Sequence, residues 1–442
     1  MAAPWPSQWP GLRRLELPPR LHVPLATRPL GGAVIARPID TVVARGESLV
    51  ESAEGTAPAM LAPVAGRIVS LGRATLLNGQ SVPALEFEPQ LPDGQLYEPP
   101  DPEEAPHILQ ERASQATRLN AGGRDLAEWM GRLRDCGIWA DRPDSPDLLG
   151  QLQYIRNHPA DTLVCSLLDD EPTICLNSIL VAGAGADLLA GLELLGLMIK
   201  AKQVIIVVEA GAPGKWWTPF RKKARKLNFQ VVPLLNDYPQ SDPTLLMYTL
   251  LRRRLKPNAL PAVERVLLVD GAAAVSVGRC VLRGEPMLRA PLALRDHVAQ
   301  QSHFVEVPIG TPLRHVLEQI GATLHDVTLL RGDLLHDNRV PLDAVVAGGD
   351  LTIHVTPRVT PHLPDPCIRC SWCVESCPTR IQPAGLLEAA QRGDLDLAAH
   401  YGLDACIECG VCAYVCPSRL PLLAGVRKLK ALATNQEREG EE

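Results

Sequence analysis

The sequence predicts a multidomain protein of mixed α/β and α+β class, and three observations lead to this prediction. The chain has 442 residues, a length that accommodates about two to four domains at roughly 100–200 residues each. Short β-branched runs separated by glycine turns give way to alternating apolar strands and helical segments further along the chain. Finally, eight of the twelve cysteines fall between positions 367 and 416.

The composition limits the classes of function. Lys and Arg number 44 against 50 Asp and Glu, a net charge of −6, which lacks the basic excess typical of nucleic-acid-binding proteins. The longest apolar region, 174–200, is interrupted by Asp187 and Glu193, and the first residues lack the pattern of a signal peptide. We therefore expect no nucleic-acid partner and no membrane-spanning segment. Twelve cysteines in such a chain are better explained as ligands than as disulfides.

The first part of the chain predicts a small β domain between two irregular segments. Residues 1–30 are rich in Pro, Leu and Arg without clear periodicity, which predicts an N-terminal arm. Residues 31–90 alternate short β-branched runs with glycine turns, which is typical of a small all-β domain. Residues 91–125 begin acidic and Pro-rich and are predicted to be a linker.

The region 126–300 predicts a Rossmann-like α/β domain. Its apolar strands are short and suited to a buried parallel sheet, and helical segments separate them. Such alternation indicates βαβ units and a doubly wound sheet. We expect helices at 184–200, 221–226 and 244–254 and strands at 204–209, 230–235 and 266–270. The region 303–357 returns to short strands around one helix at about 312–319, as in a small β-grasp module.

The cysteines form two runs with the same spacing, C-x2-C-x2-C-x3-C-P. This is the spacing of bacterial two-cluster ferredoxins, in which three close cysteines bind one [4Fe–4S] cluster and the fourth binds the other. We therefore predict a dicluster ferredoxin-like α+β domain at 361–435. One cluster is assigned to Cys367, Cys370, Cys373 and Cys416, and the other to Cys406, Cys409, Cys412 and Cys377. Paired zinc sites are the alternative, although zinc motifs usually combine cysteines two and two.

The segments next to the cysteines predict helices. Two short helices are expected between the motifs, and a last helix is expected from Ser418, as its N-cap, to about residue 431. That helix carries Arg427, Lys428 and Lys430. These cations are interpreted either as solvated surface or as a docking face for an acidic ferredoxin or a membrane partner.

Four segments resemble a known family: the ending CIECGVCAYVCPSRLPLL, and the segments at 161–173, 238–250 and 305–321. They resemble the RnfC subunit of the ion-translocating ferredoxin:NAD⁺ oxidoreductase (Rnf) complex over most of the chain. The resemblance implies a barrel-sandwich hybrid domain at 31–90, a complex-I-flavin-subunit-like domain at 126–300 and an SLBB β-grasp domain at 303–357. It also implies a peripheral position on the cytoplasmic face of the cell membrane, with the other subunits of an Rnf-like complex and a soluble redox donor such as ferredoxin as partners.

The chain departs from this family at the nucleotide site. The family holds FMN in a loop G-I-x-G-x-G-G-A-G-F-P-T, whose glycines let backbone amides approach the cofactor. The corresponding residues 137–152 keep Gly137, but Ala140, Arg142, Pro143 and Ser145 replace glycines. Asp170 and Glu171 occupy the family's acidic pair near the nucleotide, and a role in a turn is the alternative for them. We predict that FMN and NADH binding is lost or much weakened.

Three functions follow as hypotheses. The first is a non-catalytic relay subunit of an Rnf-like complex that passes single electrons through two [4Fe–4S] clusters. The second is an FMN/NADH-dependent dehydrogenase module, in Rnf or as a soluble cobalamin reductase of a bacterial microcompartment, which shares the same layout. The third is a scaffold that carries the clusters for stability only.

Overall fold

The computed structural model describes residues 11–25, 35–51, 59–90, 126–138, 147–211, 214–349, 352–359 and 363–441. The predicted linker at 91–125 lies outside these residues. So do residues 139–146, which hold the replaced glycines of the predicted flavin loop.

The N-terminal part consists of seven strands among the described residues. A four-stranded antiparallel sheet has the order β2-β7-β6-β4, and β3 pairs with β5. Leu21, Ile68 and Phe87 are fully buried between them. The strands are β1 (Arg13–Arg14), β2 (Leu21–Pro24), β3 (Ile35–Ala36), β4 (Val42–Val43), β5 (Val50–Glu51), β6 (Gly66–Thr75) and β7 (Ser81–Pro89).

The N-terminal arm differs from its prediction in its described part, because it pairs with two sheets. Strand β2 pairs with β7 of the β domain, and β1 pairs in parallel with a strand that contains Val305. Leu21 and Val23 are buried on one face of β2. The strand β2 has only four residues and shows only two buried apolar positions in alternation. Such a short pattern is not recognisable in the sequence, which is why the arm was predicted to be irregular.

The second part contains the predicted parallel sheet, with the strand order β10-β9-β8-β11. The predicted strands and helices are confirmed, but three helix ends are clearly displaced. The helix expected at 184–200 begins at Leu176, and the one expected at 221–226 begins at Gly214. The helix expected at 244–254 ends at Leu251, because Arg252 has a left-handed φ of 55°. The elements are α1 (Leu126–Asp135), α2 (Leu148–Asn157), β8 (Thr162–Ser166), α3 (Leu176–Met198), β9 (Gln203–Glu209), α4 (Gly214–Lys226), β10 (Gln230–Leu234), α5 (Pro243–Leu251), β11 (Val266–Asp270) and α6 (Gly271–Arg283).

Helices α3 and α6 pack unusually closely at two glycines. A Cβ on Gly191 of α3 would lie 2.0 Å from the carbonyl oxygen of Ala274, and one on Gly278 of α6 would lie 1.9 Å from that of Asp187. By length and composition α3 is the one helix in the described residues that could cross a membrane, and 56% of its apolar window is buried in the protein. Much of its apolar surface is therefore used for packing inside the domain.

The third part is a five-stranded mixed sheet of order β1-β13-β12-β15-β14, with one helix packed on it. Its first strand, Arg289–Asp296, pairs with Gln301–Pro308, so this sheet begins before position 303. Leu292, Val305 and Ile353 are fully buried under the helix. The elements are β12 (Arg289–Asp296), β13 (Gln301–Pro308), α7 (Leu313–Gln319), β14 (Val327–Arg331) and β15 (Thr352–Pro357).

A pair of histidines in this sheet predicts acid sensitivity. His297 Nε2 lies 3.0 Å from His354 Nδ1, and the other nitrogen of His354 donates to the carbonyl of Gly332 at 2.9 Å. Burial, and then the neighbouring His297, lowers the pKa of His354 to about 4. The unfolded chain binds a proton near pH 6.5, whereas the folded chain binds it only near pH 4. Stability from the neutral pair is therefore complete above pH 6.5 and is lost as the pH falls toward 4.

We expect the free energy of unfolding to fall by about 3 kcal/mol between pH 6.5 and pH 4 because of this pair. Denaturant unfolding at several pH values measures the loss, and His354→Gln should remove most of this pH dependence. His325→Gln, at an exposed position in the same domain, is the control. An unchanged pH profile in His354→Gln would contradict the assignment.

The C-terminal part is helical among the described residues and carries both cysteine motifs. The two helices predicted between the motifs are confirmed as α9 and α10. Leu386, Ala389, Ala398 and Leu429 are fully buried where α9, α10 and the last helix meet. The helices are α8 (Trp372–Glu375), α9 (Pro383–Arg392), α10 (Leu395–His400), α11 (Val411–Tyr414) and α12 (Leu422–Glu441).

Candidate iron–sulfur centres

The eight motif cysteines line two separate cavities. The first cavity, of about 210 Å³, is lined by Cys367, Cys370, Cys373 and Cys416, which we call site 1. The second is lined by Cys377, Cys406, Cys409 and Cys412, which we call site 2. Each site thus takes three cysteines from one motif and the fourth from the other motif.

The two motifs have the same backbone conformation. Left-handed φ angles occur at Arg369 (55°) and Ser371 (65°) of the first motif and at the equivalent Glu408 (57°) and Gly410 (75°) of the second. Alternation of left- and right-handed residues turns consecutive N–H groups toward one concave side, which favours an anionic group. The amide of Glu408, for example, donates to Cys406 Sγ at 3.4 Å.

The spacing of the cysteines along the sequence favours a multi-iron cluster over a single zinc ion. Within the described ranges, no three His, Cys, Asp or Glu side chains are grouped so that they could hold one metal ion. A tetrahedral zinc site requires its thiolates about 2.3 Å from one ion. Burial raises the pKa of Cys409 and of Cys412 to about 12. Both thiols therefore become thiolates at neutral pH when a metal cation binds them.

The two sites differ in exposure. In site 2, Cys377, Cys406 and Cys409 are buried. In site 1, Cys367 is exposed, and the large apolar side chains next to it are also exposed, Ile368 to 68% and Trp372 to 55%. Site 1 is therefore accessible from the surface, whereas site 2 faces the interior of the protein.

The expectations for the last helix are wrong in two respects. Helix α12 begins at Leu422, and the buried Ser418 is not its N-cap, because its hydroxyl donates to the carbonyl of Pro366 at 2.9 Å. Ser418 instead ties the end of the second motif to the start of the first. Sequence spacing alone could not show this contact between residues 52 positions apart.

The three cations of α12 do not form a free docking face, because each donates to a backbone carbonyl, although Lys428 is exposed, as in the solvated-surface interpretation. Lys430 Nζ donates to the carbonyl of Cys406 and to Glu408, both at 2.7 Å. Arg427 donates to the carbonyl of His336 at 2.8 Å, and Lys428 to that of Ala390 at 2.9 Å. Arg427 and Lys430 are half-buried because this side of the helix packs against the second motif and against residues 336–338, whereas Lys428 lies at the surface.

Site 2 borders a cleft of about 590 Å³ formed by the parallel-sheet domain, the five-stranded sheet and the C-terminal helices. Cys409 and Glu408 lie at its end beside Tyr238, whose hydroxyl donates to the carbonyl of Cys409 at 2.5 Å. Tyr238 is a residue that the sequence did not single out for this role. Its partner lies 171 positions away, and no spacing rule signals such a contact.

Two sequence-family models match the chain. One is described as "4Fe-4S dicluster domain" and matches residues 366–420; the other is described as "Nuo51 FMN-binding domain" and matches residues 151–278. A protein of Rhodobacter capsulatus, the C subunit (RnfC) of an ion-translocating oxidoreductase complex, is 27% identical over 438 residues, which cover 96% of this chain and 79% of that protein. This chain is a homologue of RnfC.

Other relatives of the RnfC homologue share the same name but are longer. The RnfC protein of Edwardsiella ictaluri is 27% identical over 436 residues, which cover 95% of this chain and 51% of that protein. Among solved structures, an NAD⁺-reducing [NiFe]-hydrogenase in its H₂-reduced state has 16% sequence identity and a TM-score of 0.47. That match covers 70% of this chain and 61% of the hydrogenase chain.

The dicluster match assigns two [4Fe–4S] clusters to this RnfC homologue, in agreement with the prediction from the cysteine spacing. The four thiols around each cavity and the concave N–H groups fit this cofactor. The cluster supplies reversible one-electron transfer when it is bound. The protein supplies thiolates, hydrogen bonds and burial, which tune the reduction potential.

Side chains of the protein occupy the helix N-termini around the cleft where a flavin or dinucleotide phosphate would bind, although the FMN-domain model matches part of the cleft walls. Helix N-termini are the usual phosphate sites, but side chains of the protein occupy them here. Asp147 accepts from Leu149 N at 3.1 Å at the start of α2, and Asp242 accepts from Thr244 N at 2.9 Å at the start of α5. Asp169 accepts from Asn177 N at 3.1 Å near the start of α3.

The residues predicted for the nucleotide site do not form one group. Asp170 lines the cleft, and it accepts from Glu171 N at 3.0 Å and from the hydroxyl of Thr352 at 3.2 Å. Glu171 is buried and accepts from Thr173 N at 3.2 Å. Gly137 packs against the β domain, where a Cβ would lie 2.9 Å from the carbonyl oxygen of Ala59. The acidic pair therefore has the turn role that we considered as its alternative.

Proposed function

We propose that this chain is the electron-transfer subunit of an Rnf-like membrane-associated complex and relays single electrons through two [4Fe–4S] clusters. The observation that supports it most is the pair of four-cysteine cavities in an RnfC homologue. In this proposal, site 1 and site 2 each bind one cluster, with the fourth ligand crossing over from the other motif. The crossing brings the clusters close together, as electron transfer between them requires.

Site 1 is the point of exchange with partners in this proposal. Its exposed Cys367, with Ile368 and Trp372 beside it, provides an apolar surface that a redox partner can approach without a large desolvation cost. A soluble donor such as ferredoxin and the other subunits of the complex are the proposed partners. Site 2 is buried, so its electrons pass through site 1 or through the cleft.

In this proposal the other domains hold the two clusters in position. The protein is a peripheral subunit on the cytoplasmic face of the cell membrane. We propose a barrel-sandwich hybrid for the β domain and an SLBB β-grasp domain for the five-stranded sheet. The proposed divisions are 1–30, 31–90, 91–125, 126–300, 303–357 and 361–435, except that the strand Arg289–Asp296 belongs to the sheet of the fifth division.

We expect the purified protein to lack FMN and to remain oxidised with NADH, because carboxylates occupy the helix N-termini around the cleft. Anaerobic protein with both clusters should bleach with reduced ferredoxin and should not bleach with NADH. Visible absorbance measures cluster reduction, and fluorescence after acid release measures flavin. Dithionite, a reductant that needs no binding site, is the control for competent clusters.

The match to an FMN-binding domain favours the second candidate function, a dehydrogenase module in Rnf or a cobalamin reductase. Stoichiometric FMN together with fast bleaching by NADH would support that candidate and contradict the relay without flavin. If dithionite reduced the clusters but neither reduced ferredoxin nor NADH did, both the relay and the dehydrogenase functions would be contradicted. That result would favour the scaffold hypothesis.

A further inference from the structure

The two cysteine motifs share a backbone conformation but have different surroundings. In the first motif, Ser371 and Trp372 are exposed. In the second, the residue equivalent to Ser371 is Gly410, which is buried, and a Cβ on it would lie 2.1 Å from the carbonyl oxygen of Leu335. The part of the second motif around Cys409 and Gly410 is therefore covered by other domains of the same chain. Contacts from those domains distinguish site 2 from site 1.

Tyr238 makes the closest polar contact of this kind that we observe. It lies between β10 and α5, and its hydroxyl donates to the carbonyl oxygen of Cys409 at 2.5 Å. A phenol has one proton to donate, and the carboxylate of Asp333 is a more distant acceptor at 3.1 Å. The shorter contact therefore places the O–H dipole against the residue that supplies a thiol to site 2.

Asp333 keeps the phenol in this position. Its Oδ1 accepts from the backbone N–H of Leu335 at 2.8 Å and of His336 at 2.9 Å. Its Oδ2 is bonded to His336 Nδ1. The buried carboxylate is thus fixed by its own loop, and it gives the hydroxyl of Tyr238 a second, fixed neighbour.

We propose that Tyr238 is a positioning residue that raises the reduction potential of the site 2 cluster through its hydrogen bond to Cys409. This inference rests on the proposed function, since it requires Cys409 to be a ligand. Reduction adds negative charge to a cluster and its ligands, and a hydrogen-bond donor nearby stabilises the reduced state. The effect is stronger in a buried site, where water does not screen the dipole.

Tyr238→Phe in the full-length protein with both clusters tests this role. We expect the midpoint potential of the site 2 cluster to become more negative and that of the site 1 cluster to stay unchanged. The loss of one hydrogen bond corresponds to roughly a threefold to tenfold change in the reduction equilibrium, or about 30–60 mV for one electron. Electron paramagnetic resonance during a redox titration measures both midpoints, with signals assigned by Cys370→Ser.

Tyr248→Phe is the matched control, because Tyr248 lies on α5 of the same domain and is 46% exposed. An unchanged site 2 potential in Tyr238→Phe with full iron content would overturn the inference, as would equal shifts at both sites. Absence of iron in the unsubstituted protein would instead contradict the proposed function.

A second measurement covers the case in which Tyr238→Phe fails to retain the site 2 cluster. Replacement of all tyrosines by 3-fluorotyrosine keeps the shape of the side chain and makes the phenol a stronger donor. Tyr414, which is 75% exposed within the second motif, is first changed by Tyr414→Phe. We expect the site 2 potential to rise relative to the unlabelled Tyr414→Phe protein. An unchanged or lower potential would overturn the inference.

Discussion

Cys377→Ser should remove the cluster of site 2 and leave that of site 1 intact, although Cys377 belongs to the first motif. Its thiol lines the same cavity as Cys406, Cys409 and Cys412. Serine is a poor ligand for iron compared with thiolate, so the iron content should fall from about eight to about four atoms per chain. Iron and acid-labile sulfide analysis of anaerobically purified protein measures the loss, and paramagnetic resonance identifies the remaining cluster.

Cys416→Ser is the reciprocal variant and should remove the cluster of site 1 instead. Cys280→Ser, a buried cysteine outside both motifs, is the control and should retain all the iron. If Cys377→Ser retained the cluster bound by Cys406, Cys409 and Cys412 and lost the other one, the crossed assignment would be wrong. Colourless protein with zinc in place of iron would contradict both clusters.

Gly278→Ala should destabilise the parallel-sheet domain by about 3 kcal/mol. The added methyl group would lie 1.9 Å from the carbonyl oxygen of Asp187, and a backbone atom in a packed helix cannot move away as the end of a flexible side chain can. Helices α3 and α6 would have to separate, and the buried side chains between them would lose contact. Urea unfolding followed by the fluorescence of Trp129 and Trp217, which are buried in this core, measures the change.

Gly183→Ala is the matched control in α3. A Cβ there meets no atom within 4 Å, so the change should stabilise the helix by at most about 1 kcal/mol. Equal effects of the two substitutions would show that the close approach of α3 and α6 does not limit stability. The larger loss in Gly278→Ala is expected without loss of iron, because the cysteines lie in another domain.

The cysteine spacing was sufficient to predict which thiols meet. Three cysteines separated by two residues each share one loop and bind one cluster. The fourth cysteine, three residues further on, is the one that binds the other cluster in two-cluster ferredoxins. The parallel sheet was predictable for a similar reason, because the strands at 204–209 and 266–270 are short apolar runs between helical segments. The three-cysteine loops and the strands depend on residues close together in sequence, whereas the crossing of the fourth cysteine was predicted from the known pattern of two-cluster ferredoxins.

The predictions that failed concern contacts between distant residues. The cations Arg427 and Lys430 were interpreted as surface residues, yet they are half-buried and bond to carbonyl groups in other segments. Ser418 resembled an N-cap but bonds to Pro366. A spacing rule describes the face of a helix and does not reveal what packs against it, so these partners could be identified only from the folded protein.

The sequence by itself determined the chemistry of this protein, because thiolate ligands at fixed local separations decide which metal group can bind. The tertiary structure alone decided the environment of each cluster. Burial of site 2 and the hydrogen bond from Tyr238 join residues that are distant in the chain and depend on how three domains meet. Such contacts arise from packing, and packing depends on the whole fold rather than on any local pattern.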